Sequence, residues 1–189
     1  MGEVLELEPM KWRVADFHKM AEAGILAADD RVELLNGEIV RMAPIGGPHA
    51  WAVDRLGALF VLGARERAHV SIQNPLVLSE HDEPQPDLML LRPPASRYKA
   101  DLPRPGDVLL LVEVADTTLT REVSIKLPLY ARYGIPEVWL ADLQGARLLA
   151  FTEPTAEGTY LQCREFGPAD SIAPGALADL KIALAEILG

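Results

Sequence analysis

Pro86-Asp87-Leu88-Met89-Leu90-Leu91 and Val108-Leu109-Leu110-Leu111-Val112-Glu113-Val114 are the two stretches whose reading decides how this chain folds. Both are short apolar runs. The second is apolar at successive positions, so both of its faces are buried and it reads as a central strand. Each run carries one carboxylate at an end: Asp87 opens the first and Glu113 nearly closes the second. A carboxylate in so apolar a strand is costly to bury unless it is paired or metal-bound. Two buried strands that each deliver one acid make a site for a hard divalent cation. Mg²⁺ takes oxygen ligands, usually one or two carboxylates, and keeps several waters. Lys126 follows shortly after and supplies a cation to the same neighbourhood.

Working outward, residues 31–35 and 38–42 flank Asn36-Gly37. Asn-Gly between two apolar-rich runs predicts a β-hairpin that pairs Leu34 with Ile39 and Glu33 with Val40. Ahead of it, Val14, Phe17, Met20 and Ala21 recur at helical spacing, giving a short helix over 14–23 that ends at Gly24. A loop over 43–48 leads into a second helix from His49 to about Arg67. Strands at 70–73 and 76–78, broken at Pro75, and a polar loop over 79–86 precede Asp87. Residues 92–106, rich in proline and charge, read as a long surface loop.

Downstream of Glu113, Thr117 to Thr120 cap a helix that reaches Tyr133 and stops at Gly134. Pro128 either kinks that helix or moves its regular part to begin near Leu127, because proline is tolerated only in the first turn. Residues 138–142 and 146–151 form a second hairpin around Gln144-Gly145. A strand over 160–166 and a closing helix over 176–188 complete the chain. There is no internal repeat and no interdomain linker, so the 189 residues are expected to form one domain.

Composition narrows the function. The lone cysteine, Cys163, permits neither an intrachain disulfide nor a cysteine pair for zinc, which fits a reducing, cytoplasmic home. The acidic start, Met1 to Glu8, lacks the basic and apolar parts of a signal peptide. No apolar run approaches the roughly 20 residues of a membrane span. The formal net charge of −10 argues against broad, sequence-independent nucleic-acid binding, although a local basic groove remains compatible with it. The phosphate loop ending in Lys-Ser/Thr, Gly-x-Ser-x-Gly and His-Glu-x-x-His are all missing, and His18, His49, His69 and His81 show no ligand spacing.

In order along the chain stand Glu33, Asp87, Glu113 and Lys126. This series resembles the PD-(D/E)XK nuclease pattern, and within it the Uma-two family of restriction endonucleases. The resemblance rests on Val32-Glu33-Leu34-Leu35-Asn36-Gly37-Glu38, Pro48-His49, Gln73-Asn74-Pro75, Pro86-Asp87 and Val112-Glu113-Val114. It continues through Lys126 with Tyr130 and through Gly134-Ile135-Pro136-Glu137-Val138-Trp139-Leu140-Ala141-Asp142. It implies an α/β (α+β) fold: a restriction-endonuclease-like mixed β-sheet core flanked by helices, with an N-terminal hairpin and a C-terminal hairpin extension. It also implies a Mg²⁺-dependent endonuclease hydrolysing DNA, with Mn²⁺ as substitute; cutting both strands with one site per chain then calls for a homodimer. Asp87 and Glu113 would be the metal ligands, Glu33 would stand near the site, and Lys126 would be the catalytic lysine. One departure is clear. The general pattern places its lysine two residues after the second acid, and this chain has Ala115 there.

Each candidate has a plainer reading. Asp87 can start a strand, Glu33 can be an edge-strand charge, and Lys126 can be a solvated helix residue. Glu113 can form a structural ion pair with Lys126 or Arg121. Trp139, Tyr130 and Tyr133 read as core. The rival to an endonuclease is therefore a catalytically inactive module on the same fold, acting in nucleic-acid or protein binding.

Overall fold

The computed structural model of the chain describes residues 9–27 and 29–188. The acidic start over residues 1–8 lies outside them. The described residues group into two compact units, one reaching to Met42 and including Val77–Pro84, the other comprising Ala43–Leu76 and Gln85 onward.

The first unit holds α1 (Val14–Glu22) and a hairpin of β1 (Val32–Leu35) and β2 (Glu38–Arg41). Asn36 and Gly37 both take positive φ, 50° and 72°, as a two-residue hairpin turn with the twist of the flanking strands requires. The register pairs Leu34 with Ile39 and Glu33 with Val40, as the turn predicts. The 77–84 segment returns beside β1: Glu83 N–H donates to the Leu34 carbonyl at 2.8 Å, and the Asp82 carboxylate accepts from Asn36 N–H at 2.7 Å. His18 Nε2 lies 2.8 Å from the buried Glu83 carboxylate. The strand expected at 76–78 does not form. Pro75 has no N–H to give a ladder, and Leu78 N–H turns instead to the Asp82 carbonyl at 2.9 Å.

The second unit begins with α2 (Gly47–Ala64), whose first turn accommodates Pro48 because the first N–H groups of a helix have no partner in it. There follow β3 (His69–Ile72), β4 (Leu88–Leu91), the 92–107 loop with two short 3₁₀ turns, and β5 (Val108–Ala115). Next come α3 (Leu119–Arg121), a π-helical turn over Glu122–Lys126, and α4 (Leu127–Arg132). The chain then runs through β6 (Glu137–Asp142), β7 (Arg147–Pro154) and β8 (Tyr160–Phe166). Short pieces β9 (Ser171–Ile172), β10 (Ile182–Ala183) and α5 (Ala185–Leu188) end it.

Strands β3 to β8 form one six-stranded sheet in sequence order. Only the β5–β6 joint is parallel. A parallel joint needs a crossover, and the α3–α4 segment supplies it. Alternation along β5 decides which face each side chain serves. Leu110, Val112 and Val114 join Leu88 and Leu90 in a core with Ala52, Val53, Leu56 and Phe60 of α2. Phe60 meets Trp139 there at 5.9 Å between ring centroids. Fully burying one such apolar side chain contributes about 1.5–3 kcal/mol. Glu113 and Ala115 are thereby assigned to the opposite face.

The helix expected over 176–188 is reduced to α5. Pro174 and the 3₁₀ turn Gly175–Leu177 break its start, and Ile182 pairs with Ile172 in a two-residue ladder. Burial of Ile172, Leu177, Ile182, Leu184 and Ile187 in the core outweighs the helical propensity of this alanine- and leucine-rich stretch.

Candidate active site

Leu88 pairs with Val112 across the β4–β5 ladder, so Asp87 stands opposite Glu113 one step beyond it. Residues opposite one another in an antiparallel pair point to the same face. Asp87 is anchored at 2.9 Å by the Val114 N–H, which donates to Oδ2. His49, in the first turn of α2, places Nε2 3.1 Å from the same oxygen. Gln73, just past β3 at φ 50°, donates its amide to Oδ1 at 3.3 Å. Burial alone pushes Asp87 up. The His49 hydrogen bond and charge, the Val114 N–H and the Lys126 charge together outweigh that and hold the carboxyl below its ordinary value.

Glu113 is also buried, and its neighbours come from the crossover. Lys126 Nζ lies 3.1 Å from Oε1, and the Tyr130 hydroxyl donates to the same oxygen at 2.5 Å. Lys126 Nζ is also 3.5 Å from Glu122 Oε2. Burial pushes Glu113 well above the usual carboxylate range; the Lys126 charge opposes this, the Glu122 and Asp87 charges add to it, and the Tyr130 hydrogen bond opposes it. Beside α4 lies a cavity of about 10 Å³ lined by Glu113, Glu122, Leu127, Tyr130, Val138 and Leu140. That is about the room of one water.

The π-helical turn explains how Glu122 and Lys126 both come to be buried. Pro128, second in α4, has no N–H, and its ring clashes with the carbonyl four residues back. The wide turn lies directly before α4, which begins at Leu127, and so the proline falls in a first turn. Glu122 and Lys126 open and close that wide turn, and both are buried. Such turns recur at functional sites.

Of the residues singled out in the sequence, Asp87, Glu113 and Lys126 meet in the second unit. Ala115, where the general pattern has its lysine, is buried at the end of β5, and the ammonium at Glu113 comes from the crossover instead. Glu33 belongs to the first unit, buried within β1. Sequence reasoning missed Glu122 altogether. It treated Tyr130 as core, which its burial bears out, without anticipating that its hydroxyl grips Glu113. For Tyr130 the signal was its four-residue spacing from Lys126, which sets the two on one helical face; Glu122 had none, because it opens the π-helical turn.

Among the described residues, no three or more His, Cys, Asp and Glu side chains are grouped to hold a metal ion. What the site offers a cation is two buried carboxylates on adjacent strands, all oxygen donors, with the buried Glu122 nearby. That set fits a hard divalent ion whose remaining positions are filled by water and substrate.

A mixed sheet flanked by helices, with an acid from each of two adjacent strands, is the architecture of the restriction-endonuclease-like nucleases. The chain belongs to the family described as "Uma2: Putative restriction endonuclease", whose model matches residues 14–185. Among solved structures it is similar to one titled a "putative nuclease belonging to DUF820" from Anabaena variabilis. The TM-score is 0.71 at 13% identity, covering 95% of this chain and 98% of that one, a likeness of fold. No curated protein matches the chain.

Proposed function

We propose that the protein is a Mg²⁺-dependent endonuclease that hydrolyses DNA phosphodiester bonds, with Asp87 and Glu113 as metal ligands and Lys126 as the catalytic cation. The observation that carries this reading is the meeting of Asp87, Glu113 and Lys126 at one end of the β4–β5 ladder, within a family of nuclease description. Mg²⁺, or Mn²⁺ in its place, supplies Lewis-acid polarisation of a phosphoryl oxygen and lowers the pKa of a bound water. The protein's own groups do the rest. The Val114 N–H and His49 fix the Asp87 carboxylate, leaving its orientation little freedom. Tyr130 fixes Glu113 in the same way. Lys126 brings a positive charge to where negative charge builds on the phosphoryl oxygens in the transition state. Glu33 enters this proposal on the family resemblance. Cutting both strands with one site per chain calls for a two-fold homodimer.

The test is cleavage of supercoiled plasmid and of single-stranded DNA with Mg²⁺ and with Mn²⁺, run beside Asp87→Ala. The proposal expects cutting by the wild-type protein alone. Equal cutting by both proteins points to a contaminant or another site, and no cutting by either leaves the binding-module reading in its place.

A further inference from the structure

Lys126 is shared. Its ammonium is 3.1 Å from Glu113 on β5 and 3.5 Å from Glu122 one helical turn back, and all three side chains are buried. Resting on the nuclease reading above, we infer that Glu122 is a positioning residue, a second berth that keeps Lys126 in the site when a divalent cation takes over Glu113.

Three observations lead there. The first is competition for one carboxylate. Both polar contacts made by Lys126 and Tyr130 to Glu113 fall on Oε1, so the ammonium already occupies part of the space a metal ligand must present. A divalent ion and an ammonium a few ångströms apart in a buried site repel strongly, because little solvent screens them. Binding the ion at Glu113 therefore pushes Lys126 away from it. The second is the cost of that displacement. A buried ammonium that loses its carboxylate without gaining another is heavily penalised. Glu122 lies at 3.5 Å, on the crossover rather than on β5, and removes most of that penalty. The third is construction. The wide turn set against Pro128 has Glu122 at its start and Lys126 at its end, so the berth and the lysine move as parts of one element. Lys126 is thus a resident cation in the metal-free protein and a substrate-facing cation in the loaded one, and Glu122 holds it in both.

The inference is tested by metal affinity and by lysine spectroscopy, not by cleavage. Mg²⁺ is titrated calorimetrically into wild type, Lys126→Met and Glu122→Gln. Removing the resident cation should tighten Mg²⁺ binding by about tenfold or more, and removing the berth should weaken it by a similar factor. Glu122→Asp should recover most of the loss. The wild-type protein, labelled with ¹⁵N-lysine, gives a second readout free of any folding defect. It has five lysines, of which Lys126 is buried, and the Lys126 ammonium signal should shift on Mg²⁺ addition yet stay protected from exchange. Glu122→Gln should lose that protection only when Mg²⁺ is present, which a merely structural residue would not do. Mg²⁺ binding that leaves the Lys126 signal unmoved, or equal affinities in wild type and Glu122→Gln, overturns the inference while sparing the nuclease reading. Absence of Mg²⁺ binding in both wild type and Lys126→Met overturns the two together.

Discussion

The ammonium of Lys126 lies 3.1 Å from Oε1 of Glu113, thirteen residues earlier and on a different element. The lysine that the general nuclease pattern keeps on the strand, at the place of Ala115, is here delivered from the crossover. The strand position is left to a small residue buried at the end of β5. If the delivered ammonium does the same work, replacing it with an uncharged side chain of similar length should remove transition-state stabilisation. Lys126→Met should lower the cleavage rate by about 10²–10³, the usual cost of one lost charged contact. Single-turnover rates at saturating Mg²⁺ check this, and an unchanged rate makes Lys126 a structural residue.

The His49 contact to Asp87 gives a second expectation. Groups that orient a metal ligand from behind typically change affinity by about 10–100-fold when removed. His49→Ala should weaken Mg²⁺ binding by that order. It should also raise the Asp87 pKa, since the His49 hydrogen bond and charge are the largest influences lowering it. Side-chain carboxyl NMR titration of the metal-free variant would show no change if the contact is incidental.

Stability of the metal-free protein should depend on pH through Glu113. Burial raises its folded pKa well above the ordinary 4.5. The folded state therefore holds this proton more tightly than the unfolded state does. The contribution is fully present below pH 4.5 and is lost as pH rises towards the folded value. Asp87 runs the other way: its lowered pKa contributes stability above its ordinary 3.8 that is lost as pH falls. Thermal unfolding of wild type and Glu113→Gln from pH 4 upward should show the gap between them shifting in favour of the variant. Mg²⁺ uptake should release protons over the same range, read as a dependence of binding heat on buffer ionisation enthalpy. Curves that run parallel at all pH would contradict this.

The hairpin of the first unit supplies a control for the fold. Gly37 has φ 72°, and a Cβ there would stand 2.7 Å from the Lys11 Cβ and 3.1 Å from its Cα. Gly37→Ala should cost about 1 kcal/mol or more in denaturant unfolding, because strain and overlap coincide. A neutral result would mean that the turn adopts another conformation.

Most of the fold was legible because its signals are local. Asn36-Gly37 set the hairpin register, the unbroken apolar run from Val108 marked β5, and Gln144-Gly145 marked the β6–β7 turn. The parts that were not legible depend on tertiary burial. The stretch after Pro174 has helical composition, yet Ile182 is drawn into a ladder with Ile172 and only α5 remains. In the site, Asp87 and Glu113 stood out because acids are rare in apolar strands. Lys126 stood out only through the family pattern. Glu122 was invisible because a charged helix residue is ordinarily solvated. Only the wide turn beside Pro128 turns it inward, and a turn of that kind leaves no periodicity to read.

The most direct test of the account is where a divalent ion binds. Crystals grown without metal and soaked in Mn²⁺ should give one anomalous peak between Asp87 and Glu113, with an oxygen of each in its coordination shell. In Mg²⁺ the same two oxygens should stand about 2.0–2.1 Å from the ion. No peak at that place, with Asp87 still held by His49 and Val114 and Glu113 still paired with Lys126, would contradict the metal site and the nuclease chemistry built on it.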